Sequence, residues 1–180
     1  MFWFLIIIAL AALAVIGLYN GLVKRRTTVK EAWSGIQVQL KRRYDLIPNL
    51  IETVKGYRQH ERDVLEQVTL ARTRCLDAQG VKAQANAEQA LGLALKNLFA
   101  VAESYPDLKA NVNFLELQKQ LADVEEQLQL ARRYYNGTVR DYNIAVQTFP
   151  GLLVAGFFSF ASAEFFEGAP EEAQTPRVQF

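Results

Sequence analysis

No charged side chain occurs between Met1 and Val23; every Lys, Arg, Asp and Glu lies at or after Lys24. The interval from Phe2 to Val23 is built mostly from Phe, Leu, Ile, Ala and Val. A helix rising about 1.5 Å per residue needs roughly 20 such residues to cross the hydrocarbon of a bilayer, and this stretch is just long enough. Inside lipid the backbone must satisfy its own hydrogen bonds, which leaves helix as the conformation for a single span. Ala12-Leu13-Ala14 could pass for a cleavage pattern. The charged region that precedes the apolar core of a secretory signal is missing, however. Residues 1–23 are therefore expected to be a retained transmembrane anchor.

Lys24, Arg25 and Arg26 follow the span directly, and only the amino terminus is basic before it. The positive-inside rule then predicts an outside N-terminus and a cytoplasmic C-terminal domain. These three residues are the candidate contacts to anionic headgroups, each contributing roughly 1 kcal/mol near the surface. Lys41, Arg42 and Arg43 stand about 25 Å further along the helix, beyond the screening length of roughly 8 Å, and suit protein contacts. The total of 20 Lys+Arg against 19 Asp+Glu, with acids abundant on the later helices, argues against nucleic acid as a partner. Cys75 is the only cysteine, which excludes an intrachain disulfide.

Beyond the span the pattern is helical throughout from Val29 to Phe149, with no apolar/polar alternation that would mark a strand. Val29, Trp33, Ile36, Leu40 and Ile47 form a stripe on a helix continuous with the anchor. Pro48 is expected to kink or break it. A second helix is predicted from about Asn49 to Ala78, with a heptad seam of Leu50, Val54, Tyr57, Glu61, Val64, Val68, Ala71 and Cys75; Gln79-Gly80 suits its end. A third runs from Val81 to Ser104 with Ala87, Leu91, Ala94, Leu98, Val101 and Tyr105 on its face. The fourth carries the longest seam, from Phe114 through Leu121, Leu128, Tyr135 and Tyr142 to Phe149, and contains the pairs Tyr135-Asn136 and Tyr142-Asn143. Short connections imply antiparallel neighbours. The expected fold is all-α: a transmembrane helix followed by an antiparallel up-down bundle of long helices over 24–149.

The tail divides in two. Residues 150–166 are apolar and Phe-rich, and Phe157, Phe158, Phe160, Phe165 and Phe166 are candidates to cap the bundle, lie in the membrane interface or bury against another copy. Residues 167–180 are rich in Pro, Glu, Ala and Gln and are expected to form a flexible tail.

Catalytic chemistry is poorly supplied. His60 is the only histidine, no nucleophile elbow or Gly-rich phosphate loop appears, and His60-Glu61 lacks the second histidine of a zinc motif. Glu116, Asp123, Glu125 and Glu126 fit solvated helix faces better than a di-metal bundle, which draws a histidine from each of two helices. No enzyme activity, cofactor or metal is expected. Glu61 is the exception that needs a partner, because it falls on an apolar seam and a buried carboxylate costs several kcal/mol unless paired. An Arg or Tyr from another helix is the expected partner, with Arg43, between Leu40 and Ile47, the first candidate; the pair Arg43 and Glu61 is then a structural polar core that fixes helix register, and the alternative places Glu61 at the rim with its carboxylate in water.

Several runs of residues resemble the LemA family: Glu31-Ala32-Trp33-Ser34, Val38-Gln39-Leu40-Lys41-Arg42-Arg43, Asp45-Leu46-Ile47-Pro48-Asn49-Leu50, Val54-Lys55-Gly56-Tyr57 and His60-Glu61. Tyr105-Pro106-Asp107-Leu108-Lys109-Ala110, the two Tyr-Asn pairs and Phe149-Pro150 match its C-terminal half. The resemblance extends from the anchor to about Glu167. It implies a bacterial protein with one N-terminal anchor and a helical bundle facing the cytoplasm, and it brings no catalytic residues. The expected function is a scaffold at the bacterial cytoplasmic (inner) membrane that holds lipid through its anchor, forms a homo-oligomer and binds other membrane proteins. The alternative is a lipid-organising module that uses the juxtamembrane cations and the tail aromatics.

Overall fold

The computed structural model describes residues 1–56 and 62–166. Among them the chain is helical, without a strand: α1 (Phe2–Lys55), α2 (Arg62–Asp77), α3 (Val81–Glu103), α4 (Pro106–Lys109), α5 (Val112–Gln147) and α6 (Gly151–Phe157). Two compact units share the long helices. One contains Met1–Gln37 and Leu130–Phe165, the other Val38–Gln129 with Phe166. Tyr57, His60 and Glu61, and the tail 167–180, lie outside the described residues.

In the first unit, α1 and α5 run antiparallel. Trp33 stacks against Tyr135 with ring centroids 5.5 Å apart, and nearer the N-terminus Arg25 reaches the carbonyl of Asp141. The Phe149–Pro150 peptide is cis. At Gly151 a Cβ would run into the carbonyl oxygen of Ala145, so the turn into α6 requires glycine there. α6 ends with Phe160 N–H on the Ala155 carbonyl at 2.9 Å and Ser159 at φ 58°, the left-handed closure that commonly caps helices. The chain then returns along α5.

The second unit packs the C-terminal part of α1 with α2, α3 and the start of α5. Ile47, Leu50, Val54, Val68, Leu91, Leu98 and Leu128 are almost completely enclosed there. Gly80 at φ 86° divides α2 from α3, at the position the sequence predicts. Asn111 accepts from the Phe114 N–H at 3.0 Å and caps α5.

Of the kink or break expected at Pro48, the break does not occur; α1 continues through it to Lys55. Proline removes the N–H that Tyr44, four residues earlier, would otherwise receive. Arg72 Nε on α2 donates to that carbonyl at 2.9 Å instead. The seams also differ in detail. On α3 the enclosed residues are Gln84, Ala85, Glu88, Leu91, Ala94, Leu95, Leu98 and Ala102, so the buried stripe includes two polar residues and leaves Ala87 at its edge. On α5 the stripe shifts after Tyr135 to Val139, Tyr142 and Val146, which leaves Phe149 79% exposed.

Candidate functional site

Among the described residues, Arg43, Gln84 and Glu88 are the buried polar or charged side chains of the second unit. Arg43 reaches the core from α1 because it follows Ile36 and Leu40 at helical spacing. Its Nη1 lies 3.0 Å from Glu88 Oε2 on α3 and 3.2 Å from Glu125 Oε2 on α5. The adjacent Tyr44 donates its hydroxyl to Glu88 Oε1. Gln84 Nε2 lies 2.8 Å from the Tyr44 hydroxyl and 3.2 Å from the Cys75 carbonyl. α1 and α3 are thus joined by a carboxylate, a guanidinium, a phenol and an amide that satisfy one another, with Glu125 and the Cys75 carbonyl tying in α5 and α2.

The electrostatics keep this cluster chemically quiet. Burial, reinforced by Glu88, pushes the Tyr44 hydroxyl far above its usual range. The same causes push the Cys75 thiol up to about 12. A thiol held protonated is a poor nucleophile and metal ligand. Among the described residues no group of three His, Cys, Asp or Glu is placed to hold a metal ion.

Arg43 therefore occupies a polar core, and its described partners are Glu88 and Glu125; Glu61 falls outside the described residues. Sequence reasoning missed Gln84 and Glu88 because polar residues were excluded from the α3 face. Their spacing gave the signal, since Gln84, Glu88, Leu91, Leu95, Leu98 and Ala102 step by four and three.

In the first unit Lys24, Arg25 and Arg26 are exposed where the charge-free part of α1 ends. Arg26 lies over the Phe160 ring, 4.9 Å from its centroid, a cation–π contact. Arg25 Nη1 is 3.4 Å from the Asp141 carbonyl. Lys24 and Arg25 line a recess of about 380 Å³ with Gly21, Thr28, Thr138 and Asp141. An adjoining recess of about 340 Å³ lies between Gly17, Leu18, Gly21 and Leu22 on α1 and Ile144, Ala145, Thr148 and Phe149 at the end of α5.

The five tail phenylalanines separate. Phe160 and Phe166 are buried within the chain, whereas Phe157, Phe158 and Phe165 stay exposed. The returning segment is held by α5. Tyr142 and Tyr135 donate to the carbonyls of Ala161 and Glu164 at 2.9 and 2.8 Å. Asn143 both donates to the Ala163 carbonyl at 2.9 Å and accepts from its N–H at 2.8 Å. Burial raises both tyrosine hydroxyls; nearby Glu164 adds to the effect at Tyr135, and Arg26 opposes it at Tyr142.

These features define an all-α protein with, among the described residues, one helix long and apolar enough to cross a membrane. Residues 32–180 match the LemA family, and the chain belongs to it. That match continues through the tail, past the motifs that end near Glu167. Magnetosome proteins MamQ 2 and MamQ 1 of Paramagnetospirillum magneticum are each 24% identical over 178 residues, which covers 84% of this chain and 65% of theirs. Protein LemA of Metamycoplasma hominis is 25% identical over 152 residues, covering 82% of this chain and 68% of that protein. The chain thus spans 65% of the length of those MamQ proteins.

Proposed function

We propose that the chain is a membrane-anchored scaffold that presents its bundle at the cytoplasmic face of the bacterial inner membrane and binds copies of itself and other membrane proteins. The observation that carries this reading is α1: a charge-free segment passes through Lys24, Arg25 and Arg26 into core-forming residues as one helix. The cations support that orientation through the positive-inside rule. The polar cluster around Arg43 favours a role in fixing helix register, because its members are consumed by one another. Work is then left to surfaces rather than to a pocket.

Crosslinking in intact membranes, followed by blue-native electrophoresis of gently solubilised protein, tests the scaffold. Discrete species larger than the monomer are expected. Monomer alone, with no crosslinked neighbour, removes the reading.

A lipid-organising role is the second reading. It is favoured by the exposed Phe157 and Phe158 in the same unit as Lys24 and Arg25.

A further inference from the structure

We propose that the α5–α6 turn and the outer face of α6 form a wedge inserted among the acyl chains of the leaflet from which α1 emerges. The proposal rests on the reading that α1 spans a bilayer.

Three observations converge on it. The first is level. Thr148, Phe149, Pro150 and Gly151 line the same recess as Gly17 and Leu18, and the Phe158 ring lies 4.8 Å from that of Tyr19. Gly17 is about 10 Å below Lys24 along the helix. Interfacial elements sink about 5–10 Å into a bilayer, so a turn at this level reaches hydrocarbon.

The second is surface chemistry. Phe149, Leu152, Leu153 and Phe157 are all exposed, Phe157 at 83%. A contiguous apolar surface of this kind is unusual in water. No charged residue occurs from Tyr142 to Ala163. The charge-free parts of α1 and of the α5–α6 segment also end near one another: Arg25 meets the Asp141 carbonyl, and Arg26 lies over Phe160, shortly before Glu164. A shared boundary between charged and uncharged residues on two chain passes matches the polar–apolar edge of a leaflet. A second copy of the chain would impose no such common level.

The third is the backbone. Non-helical chain exposed to lipid is costly because its polar groups find no water. At this turn Leu152 N–H reaches the Thr148 carbonyl at 2.8 Å and Leu153 N–H that of Pro150 at 3.2 Å, and Phe158 N–H closes α6 on Val154 at 3.0 Å. Pro150 itself has no N–H to satisfy.

Site-directed spin labelling of the full chain in phosphatidylglycerol/phosphatidylethanolamine vesicles tests the wedge. Nitroxides are placed through Leu153→Cys and Phe157→Cys in a Cys75→Ala background, with Leu10→Cys reporting the span and Leu130→Cys reporting the exposed side of α5. Relaxation by oxygen should exceed relaxation by a water-soluble nickel chelate several-fold at Leu10, Leu153 and Phe157, and the order should reverse at Leu130. Nickel access at Leu153 and Phe157 equal to that at Leu130 overturns the wedge. Shielding from both reagents with spin–spin broadening also overturns it, in favour of a second copy. If Leu10 is water-accessible, the anchor reading fails as well, and the two failures are distinguishable. Should the Cys75→Ala change disturb folding, the same labels in the chain that keeps its buried Cys75 supply the comparison.

Discussion

Arg72 supplies the hydrogen bond that Pro48 takes away: its Nε donates at 2.9 Å to the carbonyl of Tyr44, where the N–H of residue 48 would otherwise bind. A long helix keeps an internal proline because a neighbouring helix serves the orphaned acceptor. Arg72→Met should cost about 1–2 kcal/mol by leaving that carbonyl without its donor. In a Pro48→Ala background, where the helix recovers its own N–H, the same change should cost much less. Urea unfolding of the four members of this cycle measures the coupling, and equal losses in both backgrounds would refute it.

Glu88 carries the most demanding interactions in the polar core, since Arg43, Tyr44 and Gln84 all converge on it. Glu88→Ala leaves Arg43 with Glu125, which is more exposed. The expected destabilisation is about 3 kcal/mol, near the lower end for breaking a buried pair. Replacing Arg43 and Glu88 together by Met and Leu should recover most of that loss. Denaturant midpoints of the single and double variants decide the matter, and a double variant no better than Glu88→Ala contradicts the account.

The alkaline limb of stability should carry the mark of Cys75. Its ordinary pKa is 9.0, and burial raises it to about 12 in the folded chain. Below about pH 9 both states hold the proton and the contribution is whole. Between 9 and 12 only the unfolded chain releases it, so stability falls as pH rises. Cys75→Ala should flatten the decline in melting temperature over that interval. At pH 8 a thiol reagent should label the native wild type far more slowly than the urea-unfolded chain; equal rates would contradict the burial argument.

Asn143 makes two bonds to Ala163, and Tyr142 makes one to Ala161. Asn143→Ala should cost about 2 kcal/mol and Tyr142→Phe about 1 kcal/mol. Both should speed proteolysis between Phe160 and Phe166. Limited digestion followed by mass mapping checks this, with Tyr134→Phe, on the exposed side of the same helix, as the comparison.

The apolar N-terminal helix, α3 and α5 are legible in the sequence because long apolar periodicities are interrupted by few residues other than Gly80, Pro106 and Pro150. The α1–α2 boundary is not, because Pro48 is a local signal whose effect Arg72, distant in sequence, reverses. Glu88 escapes for the opposite reason. A carboxylate at seam spacing looks like a solvated residue until a cation from another helix is known to face it. The paired Tyr-Asn dipeptides are visible as a repeat, yet the partners of Tyr135, Tyr142 and Asn143 on the returning chain are main-chain atoms that no residue pattern announces.

That grip on the returning chain has an evolutionary corollary. Main-chain oxygens look alike from one amino acid to the next, so α5 holds Ala161, Ala163 and Glu164 without distinguishing their side chains. Substitution at Ala161 and Ala163 should therefore be tolerated more readily than at Tyr135, Tyr142 and Asn143, or at the buried Phe160 and Phe166. Proline at 163 is the exception, because it has no N–H for Asn143 to receive.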